Sequence, residues 1–535
     1  MNLLDDPWIP VRRADGSKTR IRPAEVVEQD NRVVAVSTQR PDFDGALVQF
    51  LIGLLQTVAA PADEDAWYEW LEHPPSVAQL ESLFAPVRHA FQLDGDGPRF
   101  MQDFDPDLGG NPVEKSIDTM LIDAPAEKAL KDGTDLFQKR ERIQGLCPSC
   151  AATALLTLMI NAPSGGQGHR TSLRGGGPLT TLVVPDDPGG SLWSLLWWNI
   201  LEQPDFLPPS PMGMGTEVDW FPWLSVTRTS EQGQVITAAN AHPAVAFWAT
   251  PRRIRLEIGT RTGACDLCGS TTPHLLRRYW TRPYGMNCTD WLHPLSPYYA
   301  NKGTLLPVHP QPGGLGYRHW LNLTIGKADA SRPANVVTSA YERKQPKEEL
   351  RLWSFGYDMD NMKARCWYEA RMPLMALSDF DQRQLLSSLA EELVEAATVA
   401  KDTLVSSLKK AWSSDKQKHG GDMTFITSSF WSRTEQPFYD LIHQFATALQ
   451  KQPEFPNQVD LEIREHWHTV IAREAMNLFD VWATSGAMEF ENPKRIANAY
   501  NNLRKTLFGS FMREKKLGLA SKTKIKGATK TRSQP

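Results

Sequence analysis

The stretch that decides the fold reads LFQKRERIQGLCPSCAATALLTLMINAPSGGQGHRTSLRGGGPLTTLVV and covers residues 136–184. Its Cys147-Pro-Ser-Cys150 motif comes directly before an apolar run, Ala151 to Ile160, that predicts a helix. Two small-residue loops follow, Ser164–Gly168 and Arg174–Gly177. The pattern predicts exposed loops at the two ends of one helix, with a cysteine knuckle at the start of that helix.

A second cysteine pair lies far along the chain, in Cys265-Asp-Leu-Cys268-Gly. Four thiolates in two C-x2-C pairs match a tetrahedral structural zinc site, and a glycine after the last cysteine suits the tight turn of a knuckle. Six cysteines in 535 residues are too few for a disulfide framework. We therefore predict structural zinc held by Cys147, Cys150, Cys265 and Cys268, with two unrelated pairs of free thiols as the alternative.

The composition is that of an ordinary globular protein. With 535 residues, of which 41% are hydrophobic and 22% charged, the chain is long enough for two or three domains. The net charge of −4 excludes a polycation, so any contact with nucleic acid must come from local patches. The first residues lack a signal peptide, and no apolar run approaches the length of a membrane span. These features predict a cytoplasmic protein with no membrane partner.

The patterning predicts an α+β fold in three regions. Residues 1–374 form a mixed N-terminal domain with the zinc knuckles and exposed loops, which opens on a short β-meander over residues 1–36. Residues 375–517 carry apolar positions at three- and four-residue spacing, which predicts a C-terminal four-helix bundle. Its predicted helices are Ser378–Trp412, Phe425–Lys451, Val459–Thr484 and Pro493–Leu517. Residues 518–535 predict a disordered basic tail.

Two segments are candidates for contact with another molecule. Glycines in the Ser164–Gly168 loop allow the backbone to approach another surface closely, with a flexible loop of no function as the alternative. The extended runs Leu352–Tyr357 and Ala364–Met372 flank Asp358–Lys363, which predicts a hairpin with a polar tip.

Several common catalytic motifs do not occur in the sequence. The chain has no His-Asp dipeptide, no H-E-x-x-H and no G-x-S-x-G, and the glycine loop lacks the Gly-Lys-Ser/Thr of a P-loop. We therefore predict a protein that is not an enzyme. The alternative is a zinc-containing hydrolase of unknown substrate, whose acidic residues are scattered along the sequence.

Several motifs occur together in this one chain. They are NLLDDPWIPV (residues 2–11), the two cysteine knuckles, the glycine loop with Leu173-Arg-Gly-Gly, and WLHPLSP (residues 291–297). The set resembles the large subunit of the type I-E CRISPR Cascade complex, the CasA/Cse family. The resemblance implies a non-catalytic subunit that recognises the protospacer-adjacent motif in double-stranded DNA from the minor groove. It also implies roles in strand separation, R-loop formation and recruitment of a helicase-nuclease, with other Cascade subunits and CRISPR RNA as partners.

The resemblance further implies two groups of site residues. The DNA-binding group comprises the glycine loop, a basic finger and a hairpin tip: Ser164, Gly165, Gly166, Gln167, Gly168, Arg282, Asp360, Asn361, Met362 and Lys363. The group that docks onto the guide RNA and a neighbouring subunit comprises Phe137, Gln138, Lys139, Arg140 and Arg142. The residue types agree with the DNA role, because minor-groove readers use Arg, Lys, Asn and Gln and place apolar wedges between base steps.

Overall fold

The structure is a computed structural model that describes residues 1–125, 131, 142–207, 213–343, 349–360, 363–375, 377, 379–412, 422–451, 456–483 and 492–520. The chain divides into two compact units. The first comprises Met1–Gln311, Ala328–Arg343 and Lys347–Arg371, and the second comprises Pro312–Lys327, Lys344–Pro346 and Met372–Pro535. Helices and strands both contribute, so the predicted α+β class is confirmed.

The α-helices differ widely in length. In chain order they are α1 (Pro41–Val58), α2 (Glu64–Glu72), α3 (Val77–Phe84), α4 (Pro148–Asn161), α5 (Leu192–Trp197), α6 (Gln203–Phe206), α7 (Glu217–Trp220), α8 (Val245–Trp248), α9 (Tyr317–Thr324), α10 (Asn335–Glu342), α11 (Phe380–Trp412), α12 (Thr424–Lys451), α13 (Asn457–Ala483) and α14 (Pro493–Phe508). Short 3-10 helices cover Pro23–Val27, Ala85–Phe91, Ile117–Met120 and Pro222–Leu224, and a π-helix covers Phe511–Lys516. None of the helices in the described ranges combines the length and the apolar composition that a membrane span requires.

The strands are short except for one hairpin. They are β1 (Ile9–Arg13), β2 (Lys18–Ile21), β3 (Val33–Val36), β4 (Val113–Ser116), β5 (Thr180–Pro185), β6 (Arg253–Leu256), β7 (Gly263–Ala264), β8 (Thr271–Thr272), β9 (Arg278–Arg282), β10 (Tyr298–Asn301), β11 (Thr304–Pro307), β12 (Ser331–Arg332), β13 (Leu350–Asp360) and β14 (Lys363–Leu374). The sheets have the orders β2-β1-β3, β4-β9-β6, β14-β13-β5 and β11-β10-β12, and β7 pairs with β8. The predicted hairpin is formed by β13 and β14.

The first sheet corrects the predicted meander. Strand β1 pairs with both β2 and β3, so the order is β2-β1-β3 and not the consecutive order of a meander. The reason is burial: β3 is apolar and mostly buried, and β1 buries Ile9 and Val11, whereas β2 exposes Lys18 and Thr19. The apolar β3 therefore pairs with the central strand, and β2 takes the edge.

Aromatic rings fill the core of the first unit around α1. Phe50 of α1 packs edge to face against Trp8, Phe91, Phe100 and Trp248, with ring centroids 5.4 to 6.0 Å apart. Edge-to-face pairs are a favourable arrangement of aromatic quadrupoles. Several of the 18 tryptophans thus lie in the core.

Four long helices, α11 to α14, dominate the second unit. Helix α9 belongs to it as well, because Tyr317 stacks on Phe438 with centroids 4.5 Å apart and its hydroxyl lies 2.8 Å from Thr434 Oγ1. The fourth predicted helix runs too far: α14 ends at Phe508, because Gly509 adopts an extended conformation, and the π-helix follows.

Candidate metal centre and nucleic-acid interface

The four predicted cysteine ligands converge. The sulfur atoms of Cys147, Cys150, Cys265 and Cys268 all lie within 4.8 Å of one another, and those of Cys147 and Cys268 are 3.7 Å apart. Tetrahedral zinc with four bonds of about 2.3 Å separates its sulfur ligands by about 3.8 Å. The cluster therefore fits a structural zinc ion, and the two cysteine pairs are not unrelated in the fold.

Backbone contacts join the two knuckles independently of any metal. Leu146 and Leu276 form an antiparallel bridge with N···O distances of 2.9 and 2.8 Å. The carboxylate of Asp266 accepts hydrogen bonds from the backbone N–H groups of Gln144, at 2.6 Å, and Gly145, at 2.8 Å. The second knuckle thus holds the chain immediately before the first one.

The packing of the thiols changes their acidity. Hydrogen bonds with Cys147 and Cys150 lower the pKa of Cys265, whereas hydrogen bonds with Cys147 and Cys265 raise the pKa of Cys150. A zinc ion held here would take the place of the thiol protons, because zinc binds the thiolate form of cysteine.

A residue that the sequence did not identify completes this centre. Arg20, on β2, donates hydrogen bonds from Nη2 to the Sγ of Cys268 at 3.3 Å and to the Oγ of Ser270 at 2.9 Å. Such outer contacts orient and stabilise metal ligands. A single arginine 248 residues away from its partner carries no recognisable sequence signal.

Helix α4 leads from the metal centre to the glycine loop. It begins with Cys147 as N-cap and Pro148 in its first turn, and it ends at Asn161. In the loop, Gly166 (φ +85°) and Gly168 (φ +78°) adopt left-handed backbone conformations. The predicted exposed loop Ser164–Gly168 is therefore confirmed. The prediction of a second exposed loop at the other end of the helix is wrong: Arg174–Gly177 also follows the helix, and its Arg174 and Gly177 are buried because Arg174 hydrogen-bonds inside the core.

The two left-handed glycines differ in their surroundings. A Cβ added at Gly168 would lie 2.8 Å from Pro283 and 2.9 Å from Tyr284, so packing requires glycine there. A Cβ added at Gly166 would meet no heavy atom within 4 Å. Gly166 is exposed, and its lack of a side chain is not explained by packing within the chain.

The predicted basic finger, Arg282, lies at the end of β9 and is joined to the glycine loop. The backbone N–H of Tyr284, two residues later, donates to the carbonyl of Gly168 at 2.7 Å. The Arg282 guanidinium itself lies 2.7 Å from the carboxylate of Glu231. It also donates to the carbonyls of Leu108, at 3.0 Å, and Gly109.

The hairpin residues are only partly described. Asp360 ends β13 and Lys363 begins β14, and both are exposed, whereas Asn361 and Met362 lie outside the described residues. Next to the tip, Arg365 Nη2 lies 2.6 Å from the carboxylate of Asp358.

One hydrogen bond and one close backbone approach fix the base of this hairpin. The Tyr357 hydroxyl donates to Asp42 of α1 at 2.7 Å. A Cβ added at Gly177, in the second glycine loop, would lie 2.7 Å from the Cβ of Tyr357. That loop is itself fixed by the buried Arg174, which donates to Gln49 at 2.6 Å and Ser296 at 2.9 Å. The Leu173-Arg-Gly-Gly motif does not by itself indicate this role of Arg174.

The predicted guide-RNA segment is described at one residue only. Arg142 is exposed and lies two residues before Gln144, which Asp266 holds. Phe137, Gln138, Lys139 and Arg140 lie outside the described residues.

The family model of the CRISPR-associated protein Cse1 matches residues 2–478. The chain belongs to the Cse1 family. The resemblance found in the sequence motifs is thereby confirmed.

Solved structures of Cse1 proteins share the fold of this Cse1 chain. Thermus thermophilus CasA (Cse1) is 16% identical with a TM-score of 0.66, over 95% of this chain and 99% of that chain. Thermobifida fusca Cse1 is 16% identical with a TM-score of 0.67, over 97% and 98%. A chain of a CRISPR RNA-guided surveillance complex is 17% identical with a TM-score of 0.67, over 95% and 99%. At these identities the matches show the fold alone.

Proposed function

We propose that this Cse1 protein is the large, non-catalytic subunit of a type I-E CRISPR surveillance complex that recognises the protospacer-adjacent motif in double-stranded DNA. Family membership over residues 2–478 carries the proposal. The fold shared with a chain of an RNA-guided surveillance complex supports it.

Motif reading is assigned to the glycine loop and Arg282. The bond between Tyr284 and Gly168 joins their two segments, so both can reach one stretch of duplex. Exposed backbone at Gly166 and the side chains of Gln167 and Arg282 suit the narrow minor groove. Minor-groove readout separates mainly A·T from G·C, which fits a reader that accepts several motifs.

Strand separation is assigned to the hairpin tip, Asp360–Lys363. Breaking one base-pair step costs about 1.4 kcal/mol on average, so a short wedge can open the first step before guide pairing replaces DNA pairing. The contacts of Tyr357 with Asp42 and of Arg365 with Asp358 support this assignment, because a wedge must be held rigidly at its base.

The remaining partners are assigned to other segments. Residues Phe137–Arg142 dock the subunit onto the CRISPR RNA and a neighbouring Cascade subunit in the cytoplasm. The bundle holds DNA strands through basic residues. A polar groove at one end of the bundle supports this role, because Lys410, Lys494 and Arg495 line it together with asparagines. The complex then recruits the helicase-nuclease.

The competing function, a zinc-containing hydrolase, is disfavoured by the ligand set. Four cysteine thiolates complete a tetrahedral zinc coordination sphere, whereas catalytic zinc keeps a position for water. The cluster therefore suits a structural ion.

Complementation tests the proposal. A Cascade that lacks its large subunit should bind target DNA in a motif-dependent way only after this protein is added, as seen in gel shifts with systematically varied motifs. The protein alone should not cleave DNA. Cleavage by the purified protein, together with failure to complement, would favour the hydrolase.

A further inference from the structure

Arg252 is a buried cation with an unsatisfied donor. The residue is 8% exposed and lies immediately before β6. Its Nη2 donates to the carbonyl of Pro163, at the base of the glycine loop. Its Nη1 is buried and has no hydrogen-bond acceptor in the part of the chain that the structure describes.

Three other buried arginines of the same unit have carboxylate or side-chain oxygen partners. Arg253 pairs with Asp103 at 2.6 Å, and Arg343 pairs with Glu202 at 3.0 Å. Arg174 donates to three neutral side-chain oxygens. Arg252 forms no ion pair within the described residues, and burial lowers its pKa to about 10. A buried charge without a counter-ion is costly, which points to an anion that is supplied from outside the chain.

The exposed glycine loop covers this guanidinium. A Cβ added at Gly165 would lie 2.9 Å from Nη1 of Arg252 and 2.8 Å from the Cβ of His169. Within the described residues, none of the backbone N–H groups of Ser164–Gly168 donates a hydrogen bond. Successive free N–H groups with left-handed residues among them form concavities that bind anions.

The surrounding charge is positive. Burial lowers the pKa of His169, and the nearby cations Arg252 and Lys115 lower it further. An anion at the loop would therefore be attracted both by the backbone N–H groups and by the cations beneath and beside them.

We propose that Arg252 and the backbone N–H groups of Ser164–Gly168 form an anion site that takes one phosphodiester group of the bound DNA. Because the loop covers Nη1, the backbone at Gly165 shifts when the phosphate binds. The absence of a side chain at Gly165 leaves space for this shift. The DNA part of this inference rests on the proposed function; the anion site itself does not.

Inorganic phosphate tests the site without DNA. Thermal melting of the full-length protein is compared in phosphate and in chloride at equal ionic strength. Phosphate should raise the melting temperature of the wild type but not of Arg252→Gln, which keeps an N–H donor for Pro163. The matched control, Arg261→Gln, removes the same charge from an exposed position and should retain the phosphate effect. If Arg252→Gln lowers the melting temperature equally in both salts, Arg252 has only a structural role and the proposal fails.

The salt dependence of DNA binding by the assembled complex tests the identity of the anion. Loss of one phosphate contact reduces the slope of log K against log salt by about 0.9. Arg252→Gln should show this reduction with an unchanged motif preference, and Arg252→Lys should restore the slope. An unchanged slope would overturn the DNA assignment and leave only an adventitious phosphate. Absence of motif-dependent binding by the wild-type complex would instead refute the proposed function, while the phosphate melting experiment would still decide the anion site.

Discussion

The Arg282 guanidinium lies 2.7 Å from the carboxylate of Glu231, so the basic residue assigned to DNA contact is already paired within its own chain. The same guanidinium donates to the carbonyls of Leu108 and Gly109. A DNA phosphate or base edge must therefore compete with these acceptors. Of the three, only Glu231 is a side chain and can be changed without altering the backbone.

Removing the Glu231 charge should strengthen DNA capture. Exposed ion pairs contribute about 0.2–1 kcal/mol, so Glu231→Gln should raise the affinity of the complex for motif-bearing duplex by up to about fivefold. Equilibrium binding at fixed salt measures the change. In the Arg282→Ala background the Glu231→Gln change should have little effect. A similar gain in that background would mean that Glu231 repels DNA directly and does not act through Arg282.

Arg20 should slow the loss of zinc. Mutation of an outer-shell partner of a metal ligand typically lowers the metal affinity by about tenfold or more. Native mass spectrometry should find one zinc per chain, and Arg20→Met should release zinc to a chelator about tenfold faster than the wild type. Lys18→Met removes an exposed cation from the same strand and serves as the matched control. Equal release rates for Arg20→Met and Lys18→Met would contradict a role for the Arg20–Cys268 bond.

The two left-handed glycines should respond differently to substitution. Gly166→Asp adds a side chain into open space, and Asp tolerates this conformation better than most residues, so the fold should be retained. Its bulk and negative charge should weaken motif capture at least tenfold. Gly168→Ala places a Cβ against Pro283 and Tyr284 and should lower the melting temperature. Melting curves and gel shifts on both variants separate the two effects, and a Gly166→Asp complex with normal capture would remove this loop from the DNA interface.

The hairpin should act after the motif is captured. Asn361→Ala combined with Met362→Ala should leave capture intact and slow strand opening. A target already mismatched beside the motif should rescue this variant, since no pairs there need breaking, and should not rescue Gly166→Asp or Arg282→Ala. R-loop formation on paired and pre-opened targets gives the comparison. Equal rescue of both classes would contradict the division between reading and opening.

Patterns local in sequence predicted much of the structure. The two cysteine knuckles, the helix after the first of them, the β13–β14 hairpin and the long helices α11 to α14 all followed from spacing and periodicity. Each of these features depends either on residues that are close together in the sequence or on a distinctive residue type such as cysteine.

What was missed depends on contacts between distant segments. The strand order β2-β1-β3 depends on which face of each strand is buried, and alternation within one strand does not show its neighbours. Arg20, Arg252 and Glu231 are ordinary charged residues until the fold places each beside its partner. The end of α14 at Phe508 depends on the conformation of a single glycine in a segment that is otherwise helical in pattern.

Readout of the motif through the minor groove is tested most directly with modified bases in the assembled complex. Removing the 2-amino group from motif guanines, or adding one to motif adenines, changes the minor-groove edge and one Watson–Crick hydrogen bond but leaves the major-groove edge as it is, whereas 7-deazapurines change only the major-groove edge. We predict that binding responds to the 2-amino changes and is the same for 7-deazapurines. Binding that falls with 7-deazapurines and ignores the 2-amino group would contradict the assignment of motif reading to the glycine loop and Arg282.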